Sequence, residues 1–219
     1  MGGIGVYSVC RRFGKSLISC LILTSVALGP NQASARIYKP TKADFVETKR
    51  YTTQGHSKSK GANLVMRYPA SWLEKETEYP NLAHLLVSED GLGMQIISIL
   101  TKRIPGYDVI SREEATEFLY GSPYDFLPRD AKFIGFEKTE INGEPAALIE
   151  YTMTRSFGGR KIASRVLSLN FFDKATWLNI TYSVGDGEDF AEDVDITFEN
   201  FRNLFYSLMA TIVLPDKWN

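Results

Sequence analysis

The chain has 219 residues, with 25 basic and 26 acidic side chains, two histidines, two cysteines and 44% hydrophobic residues. That balance offers no polycationic footprint for nucleic acid, and the length suits a leader and one domain with a sizeable core, with no need for a second. Both cysteines, Cys10 and Cys20, lie close to the N-terminus, so the remainder excludes disulfides, thiol catalysis and thiolate metal sites.

The N-terminal stretch reads as a cleavable secretory signal. Arg11, Arg12 and Lys15 precede the apolar run Ser16 to Leu28, Gly29-Pro30 breaks it, and Ala33-Ser34-Ala35 supplies a small-x-small site. The run is shorter than the roughly 20 apolar residues of a spanning helix, so the expectation is cleavage near Ala35 and a periplasmic or secreted chain with no transmembrane segment. Leu17-Ile18-Ser19-Cys20 resembles a lipoprotein box, but Lys15 lies close before the cysteine. Arg11-Arg12 resembles a twin-arginine signal, but Phe13-Gly14-Lys15 lacks the following apolar pair.

Three segments are expected: 1–35 as signal, 36–61 as a basic, partly flexible arm, and 62–219 as one globular domain. The arm carries Arg36, Lys39, Lys42, Lys49, Arg50, Lys58 and Lys60 against Asp44 and Glu47. Such an excess marks either a solvated terminus or a surface that docks on an acidic protein or an anionic envelope component. Gln54 to Gly61 has the polar composition of a loop. The rest of the chain is net acidic, which repels nucleic acid.

Asn63 to Tyr68 predicts a strand closed by Pro69. Leu82 to Val87 and Met94 to Thr101 predict two more, joined through Ser88 to Gly93, with the apolar run Met94 to Leu100 in an interior strand. Ser111 and Glu114 form a capping box that starts a helix over Arg112 to Tyr120. From Ala131 to Val184 four strands form a meander through Ile141-Asn142-Gly143-Glu144, Phe157-Gly158-Gly159-Arg160 and Asp173-Lys174-Ala175-Thr176. Ala147, Ile149, Tyr151 and Met153 alternate with polar residues, as do Leu178, Ile180, Tyr182 and Val184, which predicts one packed and one wetter face. Phe190, Val194, Phe198, Phe201, Phe205, Leu208 and Ile212 fall at helical spacing, so a helix of at least Thr197 to Ile212 lies on the sheet.

No motif names an activity. His56 and His84 are not brought together by spacing, no nucleophile elbow or metalloprotease motif occurs, and no cofactor is implied. Asp186, Glu188, Asp189, Glu192, Asp193 and Asp195 crowd together without matching a calcium loop. The loop Tyr120 to Pro128 sets Tyr120, Tyr124 and Phe126 among Gly121, Pro123 and Pro128. Such rings either cap a core or form a contact surface. The candidate partner-binding residues are therefore Tyr120, Tyr124 and Phe126 in this loop, with Lys39, Lys42, Lys49 and Arg50 in the arm.

Leu64-Val65-Met66-Arg67-Tyr68-Pro69-Ala70-Ser71-Trp72, Ile141-Asn142-Gly143-Glu144-Pro145-Ala146 leading into Ile149-Glu150-Tyr151, and the final Phe-rich helix together resemble the PsbP-like superfamily. That group includes DcrB-like exported proteins and shares its fold with Mog1. The resemblance covers about Asn63 to Val213 and implies an α+β, α/β/α sandwich: a central antiparallel sheet of six to seven strands between helices. It also implies an exported, non-enzymatic binding or accessory protein of the bacterial cell envelope. Two alternatives stand beside it: an exported hydrolase using Asp or Glu with a divalent metal at the acidic run, and a structural subunit of an envelope assembly.

Overall fold

The computed structural model describes residues 37–88, 95–157 and 159–218. The expected signal, most of the loop expected over Ser88 to Gly93 and Gly158 of the second meander turn lie outside them. The described chain begins with helix α1 (Lys42–Val46) and strands β1 (Thr48–Thr52) and β2 (Val65–Pro69). Then come β3 (Leu73–Glu74), β4 (Leu82–Val87), β5 (Gln95–Arg103) and helix α2 (Arg112–Tyr120), with a 3-10 turn at Pro123–Phe126. The meander is β6 (Lys132–Ile141), β7 (Glu144–Phe157), β8 (Arg160–Asp173) and β9 (Thr176–Gly187), followed by helix α3 (Ala191–Met209).

The fold is α+β. Seven strands form one antiparallel sheet in the order β3-β4-β5-β9-β8-β7-β6, and β1 and β2 pair in a separate two-stranded sheet. The first meander turn has Asn142 at φ 52° and Gly143 at φ 79°, the two positive angles of a tight hairpin that matches strand twist. The helix α2 runs over the residues its capping box predicts, with the Ser111 side chain accepting from the Glu114 N–H at 3.2 Å.

Successive residues of a strand face opposite sides, and this alternation separates two layers. Leu148, Leu169, Phe171 and Ile180 pack toward α3 with the β1–β2 residues Tyr51, Met66 and Tyr68, whereas Ala147, Phe172 and Trp177 pack toward α2. Phe198, Phe201 and Phe205 of α3 are buried, each worth about 2 kcal/mol of apolar burial. α3 begins at Ala191, within the apolar stripe that starts at Phe190, and Glu192 and Asp193 occupy a first turn where the helix dipole favours acids. Ile212 lies beyond the helix end and still packs in the core.

Two expectations give way. The polar residues of β9 do not form a wet face: Asn179, Thr181 and Ser183 are buried, because β9 is hemmed in by β5 and β8. Their polarity is met across strands, the Asn179 amide donating to Ser168 Oγ at 2.7 Å and to Asn170 Oδ1 at 2.8 Å, with Ser98 and Thr181 hydroxyls bonded. The stretch read as a flexible loop is also tied down. Thr101 Oγ1 donates to the Lys58 carbonyl, and Thr176 Oγ1 to the Lys60 carbonyl at 2.7 Å. The Asn63 N–H, just after the loop, donates to Asp173 Oδ2 at 2.7 Å.

Candidate binding surfaces

The aromatic loop divides into rings that pack and one that projects. Tyr120 is half-buried, its hydroxyl donating to the Thr139 carbonyl at 2.8 Å, and Phe126 is half-buried edge-on to Phe118 with centroids 5.3 Å apart. Tyr124, in contrast, is 65% exposed. Its ring lies 5.4 Å from that of Phe133, which is itself exposed together with Ile134. The cause is a register shift between Phe133 and Gly135 on β6, which leaves Ile134 without a β7 partner. Since β6 is the outermost strand, the three apolar residues stand at an open edge.

The basic candidates sit on the other layer. Lys39, Lys42, Lys49 and Arg50 are all exposed, and the last two belong to β1, which pairs with β2 beside α3. Thus the aromatic and basic groups lie on opposite faces of the large sheet and do not form one site. The pairing adds Arg67 of β2, directly opposite Arg50.

Between the small sheet and the large one lies a titratable cluster. The His84 imidazole on β4 is stacked on the Tyr51 ring at 3.8 Å and 11°, with Tyr68 edge-on at 6.0 Å. Burial lowers the His84 pKa to about 4, Glu74 opposing the shift and His56 adding to it. His84 is therefore neutral at neutral pH, and its buried Nε2 has no hydrogen-bond partner among the described residues. The Tyr68 hydroxyl donates to Glu74, and burial, with that acceptor, pushes its pKa up to about 12. The fold thus brings His56 and His84 within electrostatic reach, which their spacing does not reveal. Nevertheless, among the described residues no group of three or more His, Cys, Asp or Glu side chains is placed to hold a metal ion.

The acidic run is largely engaged in the fold. Glu188 pairs with Lys161 at 3.0 Å and Asp195 with Arg165 at 3.4 Å. Burial raises the Asp186 pKa, the Gly187 N–H opposing and Asp193 adding. Asp186 and Asp193 line a crevice with Tyr38, Gln95 and Thr197, but its volume of about 10 Å³ has room for roughly one water, far below a small-molecule pocket.

Sequence reasoning missed Phe133, Ile134, Arg67 and the Tyr51–His84 stack. Each depends on strand register or on a contact between distant segments.

No family model matches this chain, and no curated protein matches it. Several solved structures are similar. One is the Saccharomyces cerevisiae Ran-binding protein Mog1p, at 8% identity and TM-score 0.45, covering 76% of this chain and 95% of its own. Another is LpqN, involved in cell envelope biogenesis of Mycobacterium tuberculosis, at 10% identity and TM-score 0.40, covering 80% of this chain and 97% of its own. No helix among the described residues is long and apolar enough to cross a membrane.

Proposed function

We propose that the protein is an exported, non-enzymatic accessory protein of the bacterial cell envelope that binds another protein through the open β6 edge. The supporting observation is the exposed trio Tyr124, Phe133 and Ile134 beside an outermost strand. An edge strand offers unpaired N–H and C=O groups that an extended peptide completes as an added strand, while apolar side chains give the contact its selectivity. Charged Lys132, Glu137, Lys138 and Glu140 occupy half of the rest of β6 and discourage indiscriminate edge pairing. Tyr120 and Phe126 anchor the same loop, and Tyr124 is its projecting contact. Export is supported by the charged, apolar and small-residue order of residues 1–35.

A photo-crosslinker at position 124, used in cells and followed by fractionation, tests both parts. The expected result is one discrete adduct in the envelope fraction, lost in Phe133→Asp/Ile134→Asp, with a processed N-terminus at Arg36. An adduct that survives the double substitution removes β6 from the account, and an unprocessed chain in the cytoplasmic fraction removes export.

A further inference from the structure

The outer surface of α1 and the β1–β2 hairpin combines basic and apolar groups in one small area. In α1 the residues Lys42, Phe45 and Val46 stand at i, i+3 and i+4, so they share one side of the helix. All three are exposed, Phe45 at 41% and Val46 at 65%, while Ala43 and Asp44 are half-buried, and Ser71 Oγ donates to Asp44 Oδ1 at 3.1 Å. Four residues further on, at most about 14 Å of chain, Arg50 projects from the outer face of the hairpin. Tyr51, its neighbour in β1, points inward to His84.

Arg50 is paired in register with Arg67. Like charges opposite each other in an antiparallel pair destabilise it. Among the described residues neither arginine forms an ion pair, and the Arg67 guanidinium has a neutral partner, its Nη1 donating to Thr48 Oγ1 at 3.2 Å. Lys42 of α1 adds a further exposed positive charge.

We propose that this face docks on an anionic lipid bilayer, with Arg50 and Arg67 against headgroup phosphates and Phe45 and Val46 entering the acyl boundary. Two signals are combined, as surface binding requires: basic residues drawn to anionic lipid, and apolar side chains that gain from burial at the interface. A soluble acidic protein would satisfy the arginines but leaves unexplained why Phe45 and Val46 stand exposed on the same end of the chain. The inference is independent of the β6 reading, since the two surfaces lie on opposite faces of the sheet.

Vesicle co-sedimentation of the full chain, on phosphatidylcholine alone and with phosphatidylglycerol added, provides the test. The run Ser16 to Leu28 is common to all variants, so differences between them report on this face. The expected result is stronger partitioning onto the phosphatidylglycerol vesicles, reduced about 30-fold in Arg50→Gln/Arg67→Gln, from about fivefold per charge. Phe45→Ser/Val46→Ser lowers it about tenfold, and Arg129→Gln/Lys132→Gln near the β6 edge leaves it unchanged. Equal partitioning onto both vesicles overturns the proposal. So does a loss no greater in the Arg50/Arg67 variant than in the Arg129/Lys132 variant. Capture by immobilised polyglutamate that fails in the same variants, without any phosphatidylglycerol preference, makes the occupant an acidic protein and likewise overturns it.

Discussion

The His84–Tyr51 stack makes a quantitative prediction about acid stability. Burial holds the folded-state pKa of His84 at about 4, against an ordinary value of 6.5. The unfolded chain therefore takes up a proton more readily than the folded one. Stability from this residue is fully present above pH 6.5 and is lost as pH falls from there towards 4. Moving from pH 7.5 to 4.5 costs about 2.5 kcal/mol from this group, taking about 1.4 kcal/mol per unit. His84→Phe keeps a flat ring on Tyr51 and removes both the titration and the unpartnered Nε2. Urea unfolding of the two proteins at both pH values isolates the effect, because other titrating groups, including the buried Asp173 and the half-buried Asp186, cancel in the difference. The variant should gain about 2.5 kcal/mol on the parent between pH 7.5 and pH 4.5. A difference that stays constant with pH would refute the account of a buried, neutral histidine.

Other substitutions probe the layers separately. Glu150→Gln removes the carboxylate that Arg202 engages at 2.8 and 2.9 Å and Arg165 at 2.6 Å. Glu199 still pairs with Arg165 at 2.8 Å and with Arg202 at 2.7 Å, and Asp195 with Arg165 at 3.4 Å, so a loss of about 2 kcal/mol, that of hydrogen bonds to a charged group, is expected in urea unfolding. Gly185→Ala places a Cβ 2.8 Å from Ser164 Oγ and 3.3 Å from the Ala163 carbonyl, so the Ser164 hydroxyl must turn away and the carbonyl yield by a few tenths of an ångström, at about 1 kcal/mol. Ser111→Ala removes the N-cap of α2 and should cost about 1 kcal/mol by thermal or urea unfolding, leaving the vesicle partitioning of the opposite face unchanged.

The elements legible in the sequence are those whose cause is local. The capping box fixes α2 because both bonds lie within four residues, and Asn142-Gly143 fixes a turn because the two positive angles belong to those residues. Tertiary contacts decide the rest. Residues Gln54 to Gly61 have a loop's composition, yet carbonyls of this stretch are held by hydroxyls of Thr101 and Thr176, far along the chain. In β9, alternation predicts a wet face, but alternating Asn, Thr and Ser serve equally well when buried, provided a neighbouring strand supplies partners.

The same distinction governs the candidate surfaces. Tyr124 and Arg50 are visible as residue types, but what surrounds them depends on strand pairing. Ile134 is left without a β7 partner, next to the Phe133 that meets Tyr124, because of the register shift at Phe133/Gly135; an unbulged strand would give Phe133 and Ile134 opposite orientations. Likewise Arg67, between Met66 and Tyr68, reads as the polar step of an ordinary strand. The register of β1 on β2 sets it against Arg50, and a one-residue slip would turn one of the two inward. The Tyr51–His84 stack opposes such a slip, because turning Tyr51 outward would forfeit its contact with β4. The buried histidine and the exposed arginine pair are therefore two faces of one register, so acid that charges His84 should loosen the hairpin and weaken the ordered display of Arg50 and Arg67 together.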